Sequence, residues 1–376
     1  MKLRTNGGIS LALQILAGLG LALCLPACLE SNPQPMPATE LNGGGGIPDA
    51  TGSKGLDAMA PEDRHDEAVD YRLEMRSLVQ EIAGYARTSN PGFVVIPQNG
   101  LELLTLDGAP DGPLAQDYVD AIDGCGQEDL NFGYPELGDV TPADMHDLLT
   151  AFLDRLEEAG RNALAIDYCG DDGQADESIS FADEHGFIAF PADRRELDDI
   201  PTYPPEPPGA NAEDVTELAQ AHNFLYLINP GEFESKQEFL DAVASTDHDL
   251  LVVDAFVFDD PLTQDEVEGL KTKANGGRRL VISYMSIGEA EDYRFYWDAQ
   301  WKESPPSWLA AENPDWEGNY KVRYWDPAWQ AILFGSPDSY LDRILAAGFD
   351  GVYLDIIDAF QWFEDRRERA TDEAGD

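Results

Sequence analysis

The run Gly351-Val-Tyr-Leu-Asp355 decides the fold. Its central residues suit a buried, pleated strand, and an acid closes it. The same pattern returns in Leu250-Leu-Val-Val-Asp254 and Ala163-Leu-Ala-Ile-Asp167. Further apolar runs lie at Phe93-Val-Val-Ile96, Phe187-Ile-Ala-Phe190, Phe224 to Ile228 and Arg279 to Tyr284, with Tyr118 to Ile122 the weakest. These runs predict eight strands. Four stand on each side of Pro201-Thr-Tyr-Pro-Pro-Glu-Pro-Pro208, whose prolines make a stiff linker.

Between the strands the period changes. Met75, Leu78, Val79, Ile82, Ala83 and Ala86 fall on one face at helical spacing. Leu148, Leu149, Phe152, Leu153 and Leu156 do the same behind Thr141-Pro142, where Thr141 reads as a cap and Pro142 as the first helical residue. Strands alternating with helices predict a parallel α/β fold, a single (β/α)8 barrel of the TIM type rather than an open doubly wound sheet. No Gly-x-Gly-x-x-Gly follows a strand, so no dinucleotide site is indicated and no cofactor is expected.

The chain has 376 residues, with 73 Asp+Glu against 24 Lys+Arg and a net charge of −49. That balance excludes nucleic acid, which needs a basic face to displace counterions. It also disfavours an anionic membrane surface, leaving a lipid anchor as the expected route to a membrane. Two readings of the acidity stay open. One is adaptation to salt, since only 7 of the 24 basic residues are Lys and ionic strength screens self-repulsion. The other is attraction of a cationic polymer. Acid spread along the whole chain favours the first. A monomer is expected.

The first residues read as an export leader. Lys2 and Arg4 precede an apolar stretch from Ile9 to Leu23, too short to span a bilayer comfortably. Leu25-Pro26-Ala27-Cys28 then looks like a lipobox, which predicts a signal peptide over 1–28, lipidation of Cys28 and a cell-envelope or extracellular location. Residues 29–60 read as a flexible Gly/Pro-rich tether and 61–376 as the barrel. Only Cys125 and Cys169 remain in the body, and export permits a disulfide between them. The five His residues (65, 146, 185, 222, 248) are scattered and no CxxC occurs, so no metal site is indicated.

Barrel chemistry sits where strands end. Asp254, Asp355 and Asp167 close their strands, and Asp358 follows Asp355. Glu128 and Asp129 follow the weak strand, and Val281-Ile-Ser-Tyr-Met-Ser-Ile-Gly288 leads to Glu289, Glu291 and Arg294. One such acid is ordinary turn chemistry. Acids after five of eight strands suggest paired carboxylates, of which one stays protonated and the other ionised, as glycoside hydrolysis needs. Tyr284, Tyr293, Trp297, Trp301, Trp308, Trp316, Tyr320, Tyr324 and Trp325 crowd the same stretch. Most should fill the helix–barrel interface, with two or three left to face a sugar.

Tyr284-Met-Ser-Ile-Gly-Glu-Ala-Glu-Asp-Tyr-Arg294, Gly318-Asn-Tyr320, Tyr324-Trp325 and Gly348-Phe-Asp-Gly-Val-Tyr-Leu-Asp-Ile-Ile-Asp358 together resemble glycoside hydrolase family 114, the endo-α-1,4-polygalactosaminidase family, in its bacterial and archaeal branch. Ile96-Pro-Gln-Asn-Gly-Leu-Glu-Leu-Leu104 and the segment around Glu128 resemble it too. The resemblance covers about residues 65–195 and 215–365.

In that family the Gln-Asn strand follows the one ending in Gly-Val-Tyr-Leu-Asp, whereas Gln98-Asn99 here precedes Asp355. The resemblance therefore implies a circular permutation: family strands five to eight over 61–200, a proline linker over 201–210, and strands one to four over 211–376. The tail Trp362 to Asp376 and the segment Glu62 to Ala86 would be two halves of one helix.

The resemblance makes Asp355 the nucleophile or stabilising carboxylate and Glu128 the acid/base. It leaves Asp254, Tyr284, Glu289, Glu291, Arg294, Asn99, Asp167, Tyr320 and Asp358 to shape sugar subsites, with Arg294 alternatively a partner that holds Glu291. The implied activity is cleavage of an α-linked amino-sugar polysaccharide, a cationic substrate. The competing reading is a non-catalytic polysaccharide-binding lipoprotein on the same barrel.

Overall fold

The computed structural model describes residues 69–375. The expected leader 1–28 with Cys28, the tether 29–60 and the first residues of the barrel region lie outside them. Among the described residues no helix is long and apolar enough to cross a membrane.

Eight strands form the centre: β1 (Val94–Pro97), β2 (Gly124–Glu128), β3 (Asn162–Tyr168), β4 (Ile188–Ala192), β5 (Phe224–Leu227), β6 (Leu250–Asp254), β7 (Leu280–Ser286) and β8 (Gly351–Asp355). All their ladders are parallel. β5, β6, β7, β8 and β1 pair in that order, and β2, β3 and β4 form a second run. A parallel bridge between Gln98 and Gly126 joins β1 to β2. On the far side the rings of Phe190 on β4 and Phe224 on β5 pack 5.4 Å apart. The strands thus follow one another in chain order, a mostly parallel arrangement compatible with a TIM-type barrel. A ring in chain order looks the same wherever the chain is cut, so the strand order is silent on permutation.

The main helices are α1 (Tyr71–Ser89), α2 (Gln116–Ala121), α3 (Ala143–Glu158), α4 (Asp172–His185), α5 (Lys236–Ala244), α6 (Gln264–Leu270), α7 (Pro327–Leu333), α8 (Tyr340–Ala347) and α9 (Ala359–Gly375). Asp70 caps α1 by accepting from the Leu73 N–H, and Met75, Leu78, Val79, Ile82 and Ala86 bury its inner face. Within the described residues the expected single helix is two, α9 and α1, which meet at the first turn of α1. Glu364 of α9 pairs with Arg72 of α1 at 3.0 Å, Phe363 packs on Tyr71, and Arg367 donates to the Val69 carbonyl.

Two further expectations fail. Tyr118 to Ile122 is not a strand but α2 and its cap, because Tyr118, Val119 and Ile122 bury together at helical spacing. The strand is the next segment, Gly124–Glu128. α3 begins at Ala143, so Pro142 takes the cap position, and the Thr141 hydroxyl donates to the Asp129 carbonyl instead of capping.

Between β7 and α7 the chain leaves the parallel strands. It forms a small antiparallel sheet from Glu289–Glu291, Leu309–Glu312 and Asn319–Val322, beside the ends of β7 and β8.

Candidate active site

Glu128 and Asp355 are the last residues of β2 and β8, with only β1 between them. Asp355 Oδ2 accepts from the Tyr284 hydroxyl at 2.7 Å and Oδ1 from the Ile356 N–H at 2.8 Å. Burial pushes this carboxyl up to about 8, and the nearby Glu128 charge adds to the rise, while the Tyr284 hydrogen bond opposes it. Asp355 therefore carries a proton at neutral pH.

Glu128 has the opposite surroundings. Its Oε2 accepts from Gln98 Nε2 at 2.7 Å and from Asn99 Nδ2 at 3.0 Å, and its Oε1 accepts from the Tyr168 hydroxyl. Its own N–H donates to Asn99 Oδ1 at 3.1 Å. Both carboxyl oxygens are thus held by donors.

The backbone around the pair is strained. Asn99, Asp129 and Ile356, just beyond β1, β2 and β8, have φ of 61°, 56° and 58°. A β-branched residue rarely adopts that region, and such strain gathers at functional sites.

A second group of acids flanks the pair. Glu289 pairs with Lys321 at 2.6 Å and accepts from Asn313 at 2.9 Å, while its other oxygen has no protein partner although the residue is 1 % exposed. Burial pushes Asp358 up to about 6 against the pull of Lys321, with Glu289, Glu102 and Glu128 adding to the rise.

Asp254 and Glu291 are brought together by Arg294, which meets Asp254 at 2.7 Å and Glu291 at 2.6 Å beneath the Tyr293 ring. Arg294 is thus the partner that holds Glu291, and it holds Asp254 as well. Tyr293, over Arg294, and Trp316, in the turn between Leu309–Glu312 and Asn319–Val322, stay 54 % and 50 % exposed, whereas Trp308, Trp329 and Tyr324 fill the core.

Several expected subsite residues do other work. Asp167 is fully buried, and its oxygens accept from the Asn131 N–H and amide, the Phe132 N–H and the Ser178 hydroxyl. It fixes the loop after β2 and faces no sugar. Asn99 reaches the pair but spends both ends of its amide on Glu128. Tyr320 opposes Ala290 in the small sheet, whereas Glu289 and Glu291 oppose Lys321 and Asn319. Alternation therefore puts Tyr320 on the opposite face, where it stacks on Trp297 at 4.9 Å.

The expected disulfide is absent. Cys125 and Cys169 are both free and buried. Cys125 lies near the start of β2, in register with Ala163. Cys169 follows six residues later, about 20 Å along at strand rise, and a disulfide requires Cα atoms within about 7 Å.

Sequence reading missed Gln98, Tyr168 and Arg195. Gln98 stood inside the quoted Gln-Asn run. Tyr168 follows Asp167, so alternation turns it to the opposite side of β3. Arg195 forks onto Asp129 at 2.8 and 3.1 Å and covers the Tyr168 ring, with no signal in its neighbours.

Residues 208–374 match the family model described as glycoside-hydrolase family GH114. An uncharacterized protein of Methanocaldococcus jannaschii is 42% identical over 156 residues, 41% of this chain and 42% of that protein. One from Deinococcus radiodurans is 48% identical over 130 residues, 35% of this chain and 40% of the relative. One from Thermotoga maritima is 49% identical over 84 residues, 22% of this chain and 25% of the relative. The chain thus spans less than half the length of the curated relatives it matches. The matched segment holds Asp254, Tyr284, Glu289, Glu291, Arg294 and Asp355, and the Glu128 half lies before it. Over residues 208–374 this chain is thus similar to glycoside hydrolase family GH114.

Proposed function

We propose that this protein is a glycoside hydrolase in which Asp355 and Glu128 divide the acid and base chemistry. The observation that carries this reading is their unequal surroundings, one strand apart at the strand ends. Asp355, pushed up to about 8, holds a proton, and Glu128 accepts from three side-chain donors. Hydrolysis of a glycosidic bond needs one carboxyl to protonate the leaving oxygen and one carboxylate to act as nucleophile or base. Asp355 takes the first role and Glu128 the second, the reverse of the roles the resemblance implied.

The substrate class we assign is an α-linked amino-sugar polysaccharide of the galactosaminan type. Glu289 and Asp358 stand beside the pair, and the Glu289 oxygen that has no protein partner suits an ammonium group, while the exposed Tyr293 and Trp316 suit sugar rings. The purified protein, incubated with galactosaminan and with a neutral α-glucan, is expected to release reducing ends from the first. A protein that retains the amino-sugar polymer yet cleaves none of it would instead be the non-catalytic binding module.

The chain is read as a circular permutant of the family. The match begins at residue 208, at the end of the proline segment, and α9 and α1 lie side by side where the parental chain would run on. We infer from the leader-like start of the sequence a location outside the cytoplasm, with an anchor at Cys28. Incorporation of labelled palmitate, lost in Cys28→Ser, tests the anchor.

A further inference from the structure

Tyr226 belongs to β5, on the opposite side of the ring from β1. It is buried, and its hydroxyl donates to Gln98 Oε1 at 2.8 Å. Gln98 is buried too, and its Nε2 donates to Glu128 Oε2 at 2.7 Å. An amide has one donor end and one acceptor end. A phenol that donates to the oxygen leaves the NH2 to face the carboxylate. Reversing the amide would set a carbonyl oxygen against Glu128, which only a protonated Glu128 tolerates, and would leave the Tyr226 proton without an acceptor.

We propose that Tyr226 is a positioning residue that acts through Gln98: the chain Tyr226 hydroxyl, Gln98 amide, Glu128 carboxylate fixes the amide's direction and keeps its NH2 on Glu128. The role of Glu128 in hydrolysis rests on the glycosidase reading, but the relay itself does not. Bonds in a polarised chain strengthen one another, so losing the first donor weakens the second bond.

Other charged or titratable groups face Glu128 as well. Asp355 and Tyr353 come from β8, Asp358 from beyond it, Tyr168 from β3, Asp129 from beyond β2, and Arg195 from beyond β4. Tyr226→Phe removes none of them, so a change in Glu128 reads the relay.

The test is a carbon-13 titration of protein labelled at the Glu carboxyl carbon, with Glu128 identified by the signal lost in Glu128→Gln. In Tyr226→Phe the Glu128 midpoint is expected to rise by about half a unit to one unit, the equivalent of one ordinary hydrogen bond. In a Gln98→Met background, Tyr226→Phe should add no further shift. An unchanged midpoint in Tyr226→Phe, or an equal shift with and without Gln98, would overturn the relay. Should Tyr226→Phe fail to fold, Gln98→Met alone decides: its Glu128 midpoint must rise, and an unmoved one overturns the proposal. No turnover enters this readout, so an inactive protein leaves the test intact and counts only against the glycosidase reading.

Discussion

At the scale of single residues, the proposed hydrolysis depends on one proton. Asp355 carries it because burial and the Glu128 charge outweigh the hydrogen bonds from Tyr284 and Ile356. Activity should therefore fall as pH rises through about 8 with a one-proton slope, measured as kcat/KM against pH. Stability must follow the same group. The native state keeps this proton up to about 8, whereas an unfolded Asp releases it near 4. Between those values the native state binds more protons, so its stability declines as pH rises. Asp355→Asn removes that decline. The variant should match the parent near pH 4 and exceed it by on the order of a few kcal/mol above pH 8, read from urea unfolding at both values. Parallel curves would mean that Asp355 is ionised in the fold. The pair itself was legible in the sequence, because each acid closes a strand. The partners that set its protonation were less so, since Tyr226 and Tyr168 come from strands remote in sequence.

At the scale of elements, acids of similar appearance separate by what they touch. Asp167 is a fastener for the loop after β2. Asp167→Ala strips four donors of their acceptor and should cost about 3 kcal/mol or more, measured by urea unfolding. Arg294 fastens the small sheet to β6 through Glu291 and Asp254. Arg294→Met leaves two buried carboxylates unpaired and should cost about 3–5 kcal/mol, with the thermal midpoint as readout. Seven of the eight strands were legible because their apolar runs are long and bounded by turns. β2 was not. Its sequence Gly124-Cys-Gly-Gln-Glu128 lacks every strand former, since Gly126 is kept bare to admit the Tyr353 hydroxyl, which a Cβ there would overlap. Strand propensity measures side-chain packing, and here the packing comes from Tyr353 on β8.

At the scale of the whole molecule, connectivity and chemistry come apart. The ring of strands needs its order, not its starting point. A chain that opens inside the proline segment and joins Arg367 to Val69 through a few Gly and Ser residues should fold, because Arg367 already donates to the Val69 carbonyl at 3.0 Å. Its thermal midpoint should lie within several degrees of the parent's, and a chain that fails to fold would contradict the permutation. The mostly parallel α/β fold was legible from alternation of strand and helix. The missing disulfide was not, because sequence places Cys125 and Cys169 on adjacent strands without giving the height of each along the barrel.

Asp355 and Glu128 are proposed to act as one catalytic unit. The direct measurement is reducing-end release from galactosaminan at pH 6 by the parent, Asp355→Asn, Glu128→Gln and the double variant. Each single variant should lose about a thousandfold or more in kcat, and the double variant should lose little beyond either, as residues acting as a unit do. A single variant that keeps within about tenfold of the parent's rate, on a substrate the parent cleaves, would contradict the account.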